Sequence, residues 1–281
     1  MAAIVNRAFG AEKAADLTRF VDMLQSAWYY NDMGKAVQMG TFVGSGDKLD
    51  PEAPITREQV FAVLARAFAL SDGSASALSK FSDASSVSSW AVGSTAALVE
   101  AGYINGSDGK LNPKGYMTRA EFAQMMDNLV KAYVTSGQTI TEVPAGNVVV
   151  RASGATLKNI TVDGDLVIAD GATSVTLDGV TVKGNIILRG GANGVTITGA
   201  TSANGVTVEN PNGTTVINGD GSKLGTVHVK TDLTVNGTLS NASVDEKATL
   251  TVNKGGKVDH VTVNAPGSQV KGSGTVNTVQ A

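Results

Sequence analysis

Leu157-Lys158-Asn159-Ile160-Thr161-Val162-Asp163-Gly164 returns twenty residues later as Leu177-Asp178-Gly179-Val180-Thr181-Val182-Lys183-Gly184, and Asp165-Leu166-Val167-Ile168 returns as Asn185-Ile186-Ile187-Leu188. A third start stands at Ile197, and the pattern then drifts through Ile217, Val235, Val252 and Val270, with Val227, Val244, Val261 and Val279 marking a second phase. Val or Ile alternating with Thr, Lys or Asp is the pattern of a strand with one buried face. A coil this short cannot bury a core alone, whereas stacked coils can. The segment therefore reads as a single-stranded parallel β-helix of about seven coils, a rod of about 33 Å with a Val, Ile and Leu interior. A right-handed coil is preferred, because the strict six-residue repeat of the left-handed kind does not occur.

Upstream the composition changes sharply. All fourteen aromatics lie at or before Tyr133, and none follows it. A boundary falls near 134–146, with Thr135-Ser136-Gly137-Gln138 at the start of a linker over 135–146 and the solenoid over 147–281. The formal net charge is −3, 17% of residues are charged, and no Lys/Arg-rich run tracks a phosphate backbone. Nucleic acid is not an expected partner. No apolar run reaches the roughly 20 residues of a spanning helix, and the N-terminus lacks the basic-then-apolar order of a signal peptide, so membrane insertion is not expected either. The absence of Cys removes disulfides, thiolate metal sites and a Cys nucleophile.

The first half repeats every 62 residues: Trp28 and Trp90, Gly40 and Gly102, Gly44 and Gly106, Thr56-Arg57 and Thr118-Arg119. Ahead of each Trp stands Phe-x-Asp, as Phe20-Val21-Asp22 and Phe81-Ser82-Asp83. Each unit reads as helix, loop, helix. The spans Trp28–Met39 and Trp90–Ala101 are helix-length and end at Gly40 and Gly102, where a left-handed cap wants glycine. Gly44 to Pro51 and Gly106 to Pro113 carry turn chemistry, and a calcium loop lacks its terminal bidentate Glu. Thr56 with Gln59, and Thr118 with Glu121, form capping boxes. Val60, Val63, Leu64, Ala67 and Phe68, and likewise Phe122, Met125, Met126, Leu129 and Tyr133, fall at the spacing of a buried helical stripe.

That account leaves the arginine over. Arg57 and Arg119 each stand at the first helical position, where the helix dipole disfavours a cation by about 0.3–1 kcal/mol. Exposed N–H groups at a helix start together with a guanidinium suit a carboxylate or phosphate, so both arginines are candidate anion-binding residues. The alternative is a structural bridge to Asp22 or Asp83.

Phe-x-Asp, then Trp, then Gly-x-x-x-Gly, then Asp/Asn-Pro and Thr-Arg-(Ala/Glu)-(Glu/Gln), resembles the S-layer homology repeat in order and spacing. Ala2–Ala11, with Ile4, Arg7, Ala8 and Phe9, looks like the tail of an earlier copy, giving a tail over 1–19 and repeats over 20–80 and 81–134. The resemblance implies a pseudo-threefold unit whose grooves bind secondary cell-wall polysaccharide through a pyruvylated sugar. It assigns Arg57 and Arg119 to the carboxylate, Asp22, Asp83, Gly40, Gly102, Gly44 and Gly106 to the groove, and Trp28 and Trp90 to the sugar. The two Trp are equally readable as helix core. One departure is that Glu58 and Gln59 stand where the family usually has Ala and Glu. At most two complete grooves are expected, at the bacterial cell wall surface, with a weaker grip than three repeats would give.

The solenoid also resembles those attached to such repeats in other wall proteins, and a structural or display role follows. Polysaccharide lyases and hydrolases use β-helices too, but they need clustered acidic or basic residues and an aromatic floor, and this segment has no aromatic. Asp163, Asp165, Asp170 and Asp178 mostly stand beside Gly at turn-like positions. His228 and His260, 32 residues apart, could share a face but lack a third ligand for a metal. The chain is thus expected to be a non-enzymatic wall anchor without cofactor or metal, with adhesion or self-association through the solenoid as the alternative role.

Overall fold

The computed structural model describes residues 1–281. The chain forms two compact units, one comprising 1–6 and 13–129, the other 7–12 and 130–281.

In the first unit the 62-residue repeat becomes a repeated pair of helices. Helix α1 spans Ala2–Phe9, of which residues 2–6 fall in this unit; the first complete copy contributes α2 (Tyr30–Gln38) and α3 (Arg57–Ala67), and the second α4 (Val92–Glu100) and α5 (Arg119–Leu129). Gly40 and Gly102 both adopt φ +72°. At each, the glycine N–H donates to the carbonyl three residues back, Val37 or Val99, and the next N–H reaches Ala36 or Leu98, satisfying the orphan carbonyls of the helix end. Gln59 and Glu121 close the capping boxes by accepting the N–H of Thr56 and Thr118, each at 2.8 Å. Helix α3 is the core of this unit, with eight of its eleven residues buried, whereas α5 buries only Phe122, Met126 and Leu129.

The sequence places Tyr133 on the stripe of α5, but the helix stops at Leu129 and Tyr133 lies on β1 (Val130–Val134), on its exposed side. The reason is pairing. This Val-rich segment runs parallel to β3 (Asn147–Val150), while β2 (Thr139–Ile140) pairs with β4 (Ala155–Lys158). Residues 135–146 are therefore not a linker but part of the first coil, and the solenoid begins at Val130 rather than 147. That coil brings the total to about eight turns instead of seven.

All ladder pairings are parallel. One ladder runs through Val148–Val150, β6 (Leu166–Ile168), Ile186–Leu188 and Val206–Val208; a second through β4, β7 (Ser174–Asp178) and β9 (Gly194–Thr198). Their inward side chains, among them Leu157, Leu166, Leu177, Ile186 and Leu188, form one continuous apolar core. Two corner devices explain the sequence period. Asn159, Gly179, Gly199 and Gly219 all take positive φ, the left-handed corner that Asn and Gly tolerate. At another corner Asn147 Oδ1 accepts the N–H of Asp165 at 2.8 Å, and Asp165 Oδ1 accepts that of Asn185 at 2.7 Å. A Cβ on Gly164 would stand 2.2 Å from Asn147 Oδ1, so that neighbour must stay bare.

The aspartates read as turn residues have more specific partners. Asp163 pairs with Lys183 at 2.6 Å and Asp178 with Lys158 at 3.0 Å, each across one coil. Asp170 pairs with Arg189 at 2.9 Å, and both side chains are buried. Residues 7–12, read as part of a helical-repeat tail, belong to this unit: Gly171 N–H donates to Phe9 O, Arg151 to Arg7 O, and the Arg189 guanidinium lies 5.9 Å from the Phe9 ring centroid. Arg189→Met strands a buried carboxylate and is expected to destabilise the solenoid by about 3–5 kcal/mol. The double variant with Asp170→Leu should recover much of that loss, as chemical denaturation followed by circular dichroism would show.

Candidate functional site

Asp22 and Asp83 are loop clamps. Asp22 accepts the N–H groups of Leu49 and Asp50, and Asp83 those of Leu111 and Asn112. Desolvation is the largest single influence and pushes both carboxyls up, but the backbone N–H bonds together with the charge of Lys48 or Lys110 outweigh it and hold them below the ordinary aspartate value. The clamped turns are hairpins, Ser45 bridging Lys48 and Ser107 bridging Lys110. Gly44 and Gly106 open them at positive φ, where a Cβ would stand 2.4 Å from the carbonyl of Lys48 or Lys110. Gly40 and Gly102 serve the helix caps. The bridge from either arginine to Asp22 or Asp83 is not formed, because both carboxylates already serve the backbone.

Arg57 has a different anchor. Its Nε donates to Leu111 O at 2.9 Å, and its guanidinium lies 5.6 Å from the Phe61 ring centroid. A carbonyl and a ring face thus offset the unfavourable dipole at this position. The Nη groups make no hydrogen bond or ion pair within the chain, although the guanidinium charge reaches the Glu121 carboxylate and helps to lower it. The first N–H groups of α3, expected to be free, are not. Arg57 N–H donates to Gly115 O at 2.8 Å and Glu58 N–H to Pro113 O at 3.0 Å, because an antiparallel bridge between Thr56 and Tyr116 lays the second copy's loop over the start of α3. An anion here meets the guanidinium and not the helix N–H groups. Arg119, by contrast, is exposed at the start of α5, which no such loop covers; after burial, its charge is the main influence lowering the Met1 amino group. The two arginines are therefore not equivalent.

Neither tryptophan is core. Trp28 is 86% exposed in the turn ahead of α2, edge-on to Tyr29, and Trp90 is 55% exposed in the short 3-10 turn Ser89–Ala91 ahead of α4. Both expected helices start after their Trp, not at it.

Glu58, which the sequence treats as a cap-position departure, is the residue that reasoning missed. It is 4% exposed and accepts from Ser88 N–H at 2.9 Å, Ser88 Oγ at 3.0 Å and Lys114 Nζ at 2.7 Å, with Lys114 also against Ser88. The available signal was a charged side chain in place of Ala at the second position of a buried helix. Burial pushes its carboxyl up, yet Lys114 and Ser88 prevail and hold it below the ordinary glutamate value.

In the solenoid, His228 Nδ1 lies 2.7 Å from Asp245 Oδ2, and Ser243 Oγ donates to Asp245 Oδ1 at 2.6 Å. Asn264 donates to the same carboxylate oxygen. His228 stands in register with Ser243, while His260 stands in register with Asn241, so the two histidines share a face but not a column. No three His, Asp or Glu side chains converge in a metal-holding group, and no helix is long and apolar enough to cross a membrane.

Helix–loop–helix copies joined through a clamped loop, followed by a parallel β-solenoid, define a repeat-built two-part module. Residues 19–61 and 80–123 match the S-layer homology domain family, so the chain carries two such domains ahead of its solenoid. It is 35% identical over 135 residues to a surface-layer 125 kDa protein of Lysinibacillus sphaericus, a match covering 46% of this chain and 11% of that protein. It is 32% identical over 117 residues to the exoglucanase XynX of Acetivibrio thermocellus (40% and 11%) and, again 32% over 117 residues, to an amylopullulanase of Thermoanaerobacterium thermosulfurigenes (40% and 6%). The matched part is thus about a tenth or less of each relative's length. No solved structure matches. S-layer homology domains occur in S-layer and cell-wall-anchored proteins; they support surface anchoring and indicate a cell-surface location.

Because the folded pKa of Glu58 is depressed, its stabilisation is present above the unfolded value near 4.5 and is lost as pH falls through the folded value. Thermal melts of wild type and Glu58→Gln should therefore differ at pH 7 and draw together as pH falls from about 4.5 through the lower folded value. A difference that does not change with pH would contradict the ionised Glu58–Lys114 contact.

Proposed function

We propose that this chain anchors non-covalently to secondary cell-wall polysaccharide, that the carboxylate of a pyruvylated sugar is recognised at the joint between the two complete repeats, and that the solenoid is a structural or display element. The observation that carries this reading is Arg57: its Nε is held by Leu111 O while its Nη groups remain uncommitted at the seam between α3 and the second copy's loop. A guanidinium fixed on one edge and open on the other suits a planar carboxylate. Trp90, exposed two residues beyond Ser88, offers a ring face for the sugar. Asp22, Asp83 and the four glycines shape the loops and caps around this joint without touching the sugar.

The reading is non-enzymatic. In the one cluster of the solenoid that combines Ser, His and Asp, the Ser243 hydroxyl donates to Asp245 and not to the imidazole, so the three do not form a Ser-His-Asp relay. Co-sedimentation with pyruvylated wall polysaccharide should weaken about ten- to a hundredfold in Arg57→Ala. Arg119→Ala should lose less than about threefold, since its helix start lacks the covering loop. Wild-type binding by Arg57→Ala would remove the reading. Cleavage of uronate or neutral glycans by the full chain would overturn its non-enzymatic part.

A further inference from the structure

We infer that Tyr116 is a second glycan-contacting aromatic at this joint, packing its ring against a sugar next to the one whose carboxylate Arg57 holds. This inference rests on the anchoring reading above and extends it to a residue outside the repeat motif: the matching position in the first copy is Pro54.

The Tyr116 side chain is 67% exposed, with neither a hydrogen bond nor a ring partner within the chain, yet its backbone is pinned by a bridge. It bridges Thr56, the residue immediately before Arg57. On either side of it, Gly115 O accepts the Arg57 N–H at 2.8 Å and the Met117 N–H donates to Ile55 O at 3.0 Å. A large ring is thus presented to solvent from a bridged segment whose partner, Thr56, immediately precedes Arg57.

Glu58 supplies an independent argument. Its buried carboxylate binds Ser88 and Lys114, and each of these precedes an exposed aromatic by two residues, Trp90 in one case and Tyr116 in the other. One side chain next to Arg57 therefore fixes both ring-bearing segments relative to the arginine. A rigid, exposed aromatic with a polar tip, held beside a cation, is what a polyhydroxylated ring with an anionic substituent requires: the ring face takes the C–H face of the sugar, and the hydroxyl reaches its hydroxyls.

The test is isothermal titration of the full chain with purified pyruvylated wall polysaccharide. Tyr116→Ala should weaken binding about tenfold and Tyr116→Phe by less than about threefold, because the ring face carries most of the contact. Tyr116→Leu, which keeps apolar bulk without an aromatic face, should behave like Tyr116→Ala; it carries the test if the Ala variant melts early. Wild-type affinity in both Tyr116→Ala and Tyr116→Leu, with Arg57→Ala impaired, overturns the role of Tyr116 and leaves the anchoring reading standing. Wild-type affinity in Arg57→Ala overturns the anchoring reading itself.

Discussion

Neither kind of repeat in this chain can bury its own apolar face. An eleven-residue helix and a coil of 15 to 22 residues must each be completed by the next copy, and the rest of the architecture follows from that constraint. In the solenoid, completion is by backbone ladders and a shared Val, Ile and Leu core, so each coil need only place its corners correctly. The left-handed Asn159, Gly179, Gly199 and Gly219 and the Asn147–Asp165–Asn185 relay do this at twenty-residue intervals or close to them. In the helical unit, completion is by a loop: the second copy's residues 113–117 cover the start of α3 and occupy its first N–H groups.

That loop closure gives the joint its chemistry. Because the carbonyls of Pro113 and Gly115 take the backbone donors, the proposed recognition of an anion falls to the Arg57 side chain, which the same loop region holds through Leu111 O. Glu58 then ties the joint to the turn that carries Trp90. A buried carboxylate is costly unless paired, and Lys114 and Ser88 together give it both charge and hydrogen bonds. At Arg119 the chain offers no equivalent closure, which is why two arginines in the same motif position stand in different surroundings.

Much of the fold was legible because it rests on periodic signals. The 62-residue spacing and the Thr-x-x-Gln/Glu and Gly positions marked helix starts and ends, and the alternation after Leu157 marked strands. Tyr133 and residues 135–146 misled because a polar, glycine-containing stretch reads as a linker when its pairing partners lie one coil downstream. Residues 7–12 were hidden for a similar reason: Phe9 resembles a helix-tail residue and only the buried Arg189–Asp170 pair shows what it lies against. At the site, the arginines were legible as misfits against the helix dipole. The placements of Glu58, Lys114 and Tyr116 were not, since each depends on a contact made between one repeat and the next.

The most direct measurement is a crystal structure of the chain soaked with a pyruvylated disaccharide from the wall polymer. The account predicts the pyruvyl carboxylate within hydrogen-bond distance of the Arg57 Nη atoms, with the sugar rings against Trp90 and Tyr116. Sugar bound at Arg119 or on the solenoid, with the Arg57 joint empty, would contradict it.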